Sequence, residues 1–221
     1  MEVLNDLLDY KLKIYQNSQW FRFSLDSVLL AEFIKIKKAD KTILDLGTGN
    51  APIPLILSKK TFLPIKAVEI QKDIADLAKK SVLYNHLENQ INIINIDMKE
   101  FALNSESDQY DIIISNPPYF KNNDCSFQNS DIHKAIARHE IMITLEEIII
   151  IARKLLKNNG SFYLVQRPER LLEIIKSCQQ ANLEPKRLRI CYTNSNNATL
   201  FLLECVKNGK SGLTIESPQF I

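Results

Sequence analysis

Thr42-Ile43-Leu44-Asp45-Leu46-Gly47-Thr48-Gly49-Asn50-Ala51 is the stretch whose reading decides the fold. Its first five residues form a short apolar run, and a glycine turn follows at once. Glycines at such a junction let the backbone turn tightly and let a ligand lie against it. A helix toward Lys60 completes a strand-turn-helix unit. Glu69 ends the next apolar run, Ile65-Lys66-Ala67-Val68-Glu69, 22 positions after Gly47. An acidic side chain there can accept hydrogen bonds from both hydroxyls of a ribose. Turn and acid together suit NAD, FAD or S-adenosylmethionine. Two residues tilt the choice to the last. Pro52 stands where the dinucleotide fingerprint asks for a third glycine, and Asp45 would repel a pyrophosphate but not a cationic methionine end.

Outward from the turn, strand-like and helical patterns alternate. Residues 73–84 carry Ile74, Leu77, Ala78 and Val82 at helical spacing, and residues 91–96 and 110–115 read as a third and a fourth strand. Thr144 caps a helix through Leu156 that Asn158-Asn159-Gly160 ends; residues 161–165 form a fifth strand, and Pro168 opens a helix to Ala181. Upstream, Ser24 caps a helix over residues 25–37. Residues 188–193 and 199–206 flank an Asn-rich turn as a β-hairpin. Five β/α alternations with apolar strands imply a parallel sheet with helices on both faces. A single domain is expected over 1–221: a helical extension (1–40), a sheet core (41–206) and a tail (207–221).

Composition sets the outer limits. The 221 residues are 45% hydrophobic and 24% charged, enough for one core. A formal charge of +2 argues for no polyanion unless the positive charge clusters. Cys125, Cys178, Cys191 and Cys205 are scattered and the three histidines isolated, so no metal-ligand spacing appears and reduced, buried thiols are expected. The acidic start, Met1-Glu2-Val3-Leu4-Asn5-Asp6, lacks the order of a signal peptide, and the longest apolar run, residues 148–151, cannot cross a membrane. The expectation is a soluble, cytoplasmic protein without a metal.

Asn116-Pro117-Pro118-Tyr119 follows the fourth strand. Two prolines stiffen the loop and remove two amide donors. What remains is largely acceptors, the Asn116 side-chain oxygen and the Pro117 carbonyl, matched to a planar NH2 group. The nitrogen of such a group is a poor nucleophile because its lone pair is delocalised. Accepting both hydrogens favours the pyramidal form that develops in the transition state, worth about 2–4 kcal/mol per positioned bond. Tyr119 can stack on a planar target. Asp97, after the third strand, can either cap a helix or hydrogen-bond an adenine amino group.

With these motifs in place, the chain resembles the class I N6-adenine methyltransferases, and within them the bacterial family that methylates the adenine immediately 3′ of the anticodon in tRNA-Val. The resemblance is carried by Phe21-Arg22-Phe23-Ser24-Leu25-Asp26-Ser27-Val28-Leu29-Leu30-Ala31, by the glycine turn, Glu69, Asp97 and Asn116–Tyr119 segment, by Ala137-Arg138-His139-Glu140 and Arg167-Pro168-Glu169-Arg170-Leu171, and by Gly209-Lys210-Ser211-Gly212-Leu213. It implies a Rossmann-like sheet of seven strands, mostly parallel, with the last antiparallel and helices on both faces. It implies S-adenosylmethionine as cofactor and tRNA as partner.

By the same resemblance, Ser24 and Asp26 lie near the methionine end of the cofactor. Asp45, Gly47, Gly49, Asn50, Glu69, Ile70, Asp97, Met98 and Asn116 complete its site. Asn116, Pro117, Pro118 and Tyr119 form the catalytic loop. Phe21, Arg22, Phe120 and Arg138 line the substrate side. Lys186, Arg187 and Arg189 cluster just before the terminal hairpin, which suits either a phosphate-contacting surface or a solvated face. The polar, aperiodic residues 120–134 are expected to be a binding loop that moves in the absence of RNA. Rivals are a ribosomal RNA or DNA adenine methyltransferase, a release-factor glutamine methyltransferase, an RNA-binding module without catalysis, and an NAD-dependent oxidoreductase. The last leaves the Asn-Pro-Pro-Tyr segment without a task.

Overall fold

The computed structural model describes residues 2–7, 10–17, 25–117, 143–193 and 197–221. Strands β1 (Glu2–Asp6) and β2 (Lys13–Asn17) pair antiparallel ahead of helix α1 (Leu25–Phe33). The repeating units then run β3 (Ile43–Leu46), α2 (Pro52–Leu57), β4 (Ile65–Glu69), α3 (Lys72–Tyr84), β5 (Ile91–Asn95), α4 (Met98–Leu103) and β6 (Tyr110–Ser115). After residue 142 come α5 (Leu145–Leu155), β7 (Leu156–Gln166), a 3-10 turn (Pro168–Arg170), α6 (Leu171–Gln180), β8 (Leu183–Tyr192) and β9 (Ala198–Lys207). Two short strands close the chain, β10 (Thr214–Ile215) and β11 (Gln219–Phe220).

Seven strands make the body of the sheet in the order β8-β9-β7-β6-β3-β4-β5. All are parallel except β9, which runs antiparallel to both β7 and β8. The strands are apolar on both faces because both faces are covered. One face carries α1, α2, α3 and the β1–β2 hairpin, whose Leu12 and Ile14 pack with Leu30, Ile53 and Ala78. The other carries α4, α5 and α6, where Phe101, Ile148 and Ile174 meet Leu44, Ile113 and Phe162.

The N-terminal region departs from expectation, since a β-hairpin precedes its helix. Lys13–Asn17 alternates half-buried and buried residues, a period of two that belongs to a strand. Helix α1 stops at Phe33, and Ser24, its expected cap, lies outside the described residues. Asn158-Asn159-Gly160 does not end α5. That helix ends at Leu155, and Leu156 is already extended and paired with Tyr110, so β7 begins five residues earlier than its sequence suggests. The closing hairpin is also longer, at ten residues per strand. The tail joins the sheet instead of hanging free: β10 and β11 both pair in parallel with β8. That covers an edge whose amides and carbonyls would otherwise be open.

Candidate active site

Strand β3 has β4 on one side and β6 on the other, so the chain order reverses there, and in open α/β sheets ligands bind beyond the strand ends at that point. Leu46 of β3 is in register with Ser115 of β6, and Ser115 Oγ donates to the Leu46 carbonyl at 3.0 Å. Gly47 and Asn116 therefore leave the sheet side by side, although 69 residues separate them in sequence. The two motifs share one crevice.

The glycine turn is fixed from below. Gly47 N and Thr48 N both donate to the Val68 carbonyl, at 3.0 and 2.9 Å. Gly47 and Gly49 take φ of +73° and +58°, the left-handed region where a Cβ is strained. Ala51 takes φ +65° as well, so it does what a glycine would, and α2 starts at Pro52. A Cβ on Gly49 would meet nothing within 4 Å, which means the turn borders open space. Glu69 is 5% exposed; Gly49 N donates to its Oε2 at 3.0 Å and Gln71 N to its Oε1 at 2.9 Å. These amides hold the carboxylate against the turn. Asn95 Nδ2 donates to the Glu69 and Ile70 carbonyls at 2.8 and 2.9 Å, which sets the bend carrying Ile70. Asp97 caps α4, its Oδ1 accepting from Lys99 N at 2.7 Å. Met98 follows, with its Cε 3.5 Å from the position of a Gly47 Cβ.

Asp45 is 1% exposed, and neither carboxylate oxygen has a hydrogen-bond partner. Thr48 Oγ1 and Gln16 Nε2 are likewise buried without partners; among the described residues no other buried side-chain polar atom is left so. A buried polar group without a partner is costly, and such groups mark a site that a ligand completes. Burial is the main reason the Asp45 carboxyl is pushed up to about 7; Thr48 opposes the rise and the Glu69 charge adds to it. A cationic group placed beside it would restore the ionised form. The donor set thus fits S-adenosylmethionine, with Asp45 for the ammonium of the methionine end and Glu69 for the ribose.

Asn50 Nδ2 donates to the Tyr15 carbonyl at 3.0 Å and ties the turn to β2. Asp26 lies on α1, half-buried, close enough for its charge to act on Cys191. Asn116 Nδ2 donates to Ser27 Oγ at 3.0 Å, and Pro117 is buried beneath it. Pro118, Tyr119, Phe120, Arg138, Phe21, Arg22, Ser24 and the segment 120–134 lie outside the described residues.

Two residues of the basic cluster are engaged in ion pairs. Arg187 donates to Glu216 and Glu204, both at 2.7 Å, and to the Phe33 carbonyl at 3.2 Å, with its guanidinium 4.2 Å from the Phe33 ring centroid. Arg189 is bound to Glu216 at 2.6 Å and Gln219 at 3.1 Å. Both cations form ion pairs with carboxylates of the protein. Lys186 donates to the Lys210 carbonyl at 3.0 Å and is half-exposed. Sequence reading missed Gln16, Ser27 and Thr48; the one available signal was a glutamine at an inward position of an alternating strand. Cys178, Cys191 and Cys205 are free and buried, as expected.

A parallel sheet of this order with an antiparallel last strand, a glycine turn at its switch point and an acid on the next strand defines a class I S-adenosylmethionine-dependent methyltransferase. The family described as methyltransferase small domain matches residues 22–182. A tRNA1(Val) (adenine(37)-N6)-methyltransferase of Bacteroides thetaiotaomicron is 30% identical over 193 residues, covering 79% of this chain and 78% of the relative. One from Parabacteroides distasonis is 28% identical over 177 residues, covering 80% and 73%. Among solved structures, P. horikoshii TYW2 in complex with MeSAdo aligns with a TM-score of 0.66 over 94% of this chain and 72% of that one; at 14% identity it speaks for the fold alone. The chain belongs to the methyltransferase small domain family, and within it to the relatives described as tRNA1(Val) (adenine(37)-N6)-methyltransferases.

Proposed function

We propose that this chain transfers the methyl group of S-adenosylmethionine to the exocyclic N6 of an adenine in tRNA, the adenine 3′ of the anticodon in tRNA-Val. The observation that carries the chemistry is the Leu46–Ser115 register, which sets the Asn116-Pro117 loop beside the glycine turn. The target is supported by the printed names of the relatives.

When bound, S-adenosylmethionine supplies an electrophilic methyl group on sulfur. Asp45 holds the amino end, Glu69 the ribose, and Ile70, Asp97 and Met98 the adenine. Ser24 and Asp26 close the methionine end. Ser27 Oγ accepts from the Asn116 amide nitrogen at 3.0 Å, which fixes which end of the amide is its oxygen. That oxygen and the Pro117 carbonyl accept the two hydrogens of the target amine, and Tyr119 stacks on its ring. No strong base is needed, because the attacking amine is neutral and the methylated product sheds a proton readily. Phe21, Arg22, Phe120, Arg138 and Lys186 form the RNA side.

No helix among the described residues is long and apolar enough to cross a membrane, and no group of three metal-ligating side chains occurs among them. A cytoplasmic, single-domain enzyme is the matching reading. The test is transfer of labelled methyl from S-adenosylmethionine to four acceptors: unmodified tRNA-Val, ribosomal RNA, DNA and a release factor. Label in tRNA-Val, lost when its adenine 37 is replaced by guanine, is the expected result. Label in another acceptor alone overturns the target.

A further inference from the structure

The β1–β2 hairpin climbs along α3 to the ligand end of the sheet. Near the C-terminal end of α3, Lys13 N donates to Asn85 Oδ1 at 3.0 Å, and Asn85 Nδ2 returns a bond to the Lys13 carbonyl at 2.7 Å. One turn higher, Tyr15 N donates to Ser81 Oγ at 2.9 Å, and its carbonyl receives Asn50 Nδ2 from the glycine turn. Asn17 reaches the first turns of α3, where with Asp73, Asp76 and Leu77 it lines a cleft of about 500 Å³. Along β2 the burial alternates, so Gln16 faces inward with Ile14.

Gln16 is 2% exposed. Asn5 Nδ2 donates to its Oε1 at 2.8 Å, which fixes the amide and turns its nitrogen the other way. That nitrogen has no partner. Among the described residues, the remaining orphaned side-chain atoms belong to Asp45, in β3, and Thr48, on the turn that follows it. Two carboxylate oxygens, a hydroxyl and an amide N–H form a set that a zwitterion satisfies. The carboxylate answers an ammonium, and the amide answers a carboxylate. An NH2 group can only donate, so it cannot duplicate the role of Asp45.

We propose that Gln16 is a cofactor-binding residue, donating its Nε2–H to the carboxylate of the methionine end and thereby making the N-terminal hairpin part of the cofactor site. The inference rests on the S-adenosylmethionine reading above. It assigns to β2 a function in ligand capture besides packing.

Calorimetry on the full chain, with S-adenosylhomocysteine and with methylthioadenosine, separates the two ideas. Methylthioadenosine keeps the nucleoside and thioether but lacks the amino acid end. Wild-type protein that binds neither ligand overturns the cofactor reading, and this inference with it. Given wild-type binding, Gln16→Leu should weaken S-adenosylhomocysteine roughly 10- to 100-fold, the loss of a hydrogen bond to a charged group. It should leave methylthioadenosine unchanged, which shows that the variant is folded although it also loses the Asn5–Gln16 bond. Gln16→Glu should weaken S-adenosylhomocysteine further by placing like charges together. Equal losses for both ligands in Gln16→Leu, or wild-type affinity for S-adenosylhomocysteine, overturn the assignment. Tighter binding by Gln16→Glu would put the ammonium, not the carboxylate, opposite Gln16.

Discussion

Asn116 and Asp45 each yield a prediction at the scale of a single side chain. Asn116→Ala removes the acceptor for the target amine and is expected to lower kcat by about 10²–10³-fold, as loss of one transition-state hydrogen bond does in other enzymes, with cofactor affinity preserved. Single-turnover methylation alongside cofactor titration checks the split. The Asp45 carboxyl is pushed up to about 7 in the protein against 3.8 when free, chiefly by burial. The native chain thus holds a proton that the unfolded chain releases in that window, so the contribution of this group to stability falls as pH rises from 3.8 to about 7. Asp45→Asn should therefore melt higher than wild type above pH 7 in the absence of ligand. Cofactor binding favours the ionised form, so affinity for S-adenosylhomocysteine should decline as pH falls below about 7, and Asp45→Asn should bind weakly at every pH. Calorimetry across pH reads both.

At the scale of elements, helix α5 shows local chemistry and tertiary packing acting together. Thr144 Oγ1 accepts from Glu147 N at 3.2 Å, and Glu147 Oε2 accepts from Thr144 N at 2.7 Å, a reciprocal capping box. Lys99 of α4 also reaches Glu147 at 2.8 Å and helps hold its carboxyl below the usual range. Thr144→Ala should cost about 1 kcal/mol in urea unfolding. At its other end α5 has no glycine cap. The buried Leu156 leaves the helix by pairing with Tyr110, and Lys157 meets Asp111 at 2.9 Å in the same stretch. Sheet pairing therefore overrides the turn chemistry of Asn158-Asn159-Gly160. The β1–β2 hairpin also combines the two: Leu7 N donates to the Leu12 carbonyl at 2.8 Å beside its turn, and Ser81 and Asn85 of α3 hold its second strand.

Across the whole molecule, the tail and the last hairpin form one electrostatic unit. Arg187, Arg189 and Lys35 converge on Glu216, and Arg187 also meets Glu204, whose side chain is 6% exposed. Hydrogen bonds from the two arginines hold the Glu216 carboxyl down at about 2, against 4.5 when free. A depressed carboxylate stabilises above its free value, and that contribution is lost as pH falls through about 2. Arg187→Ala should cost about 3–5 kcal/mol, because it leaves the buried Glu204 without its ion-pair partner and with Ser161 Oγ still donating to it, and it should raise the Glu216 pKa as well. Denaturant unfolding, together with NMR titration of the tail, measures both effects. The same variant should change the salt dependence of RNA binding little, since the guanidinium is already satisfied within the protein.

The β/α alternation, the glycine turn, Glu69 and the Asn116-Pro117 motif were legible because each expresses a local rule: apolar runs bounded by turns, φ values that favour glycine, prolines that delete donors. The residues that these motifs need were not legible. Gln16 reads as an ordinary strand glutamine until Asn5 takes its amide oxygen and Asn50 ties the neighbouring Tyr15 to the glycine turn. Ser27 reads as one more small residue of α1 until β6 brings Asn116 to it. Arg187 and Arg189 read as a basic patch because composition counts charges without their partners, and Glu216 lies 29 and 27 residues further along the chain. Sequence alone determined the class of fold and the chemistry of its two motifs, since both follow from neighbours in the chain. Only tertiary structure decided that those motifs meet at the β3–β6 switch point, that the hairpin is tied to the glycine turn, and that Arg187 and Arg189 pair with Glu204 and Glu216, because register and ion pairing bring together residues far apart in the chain.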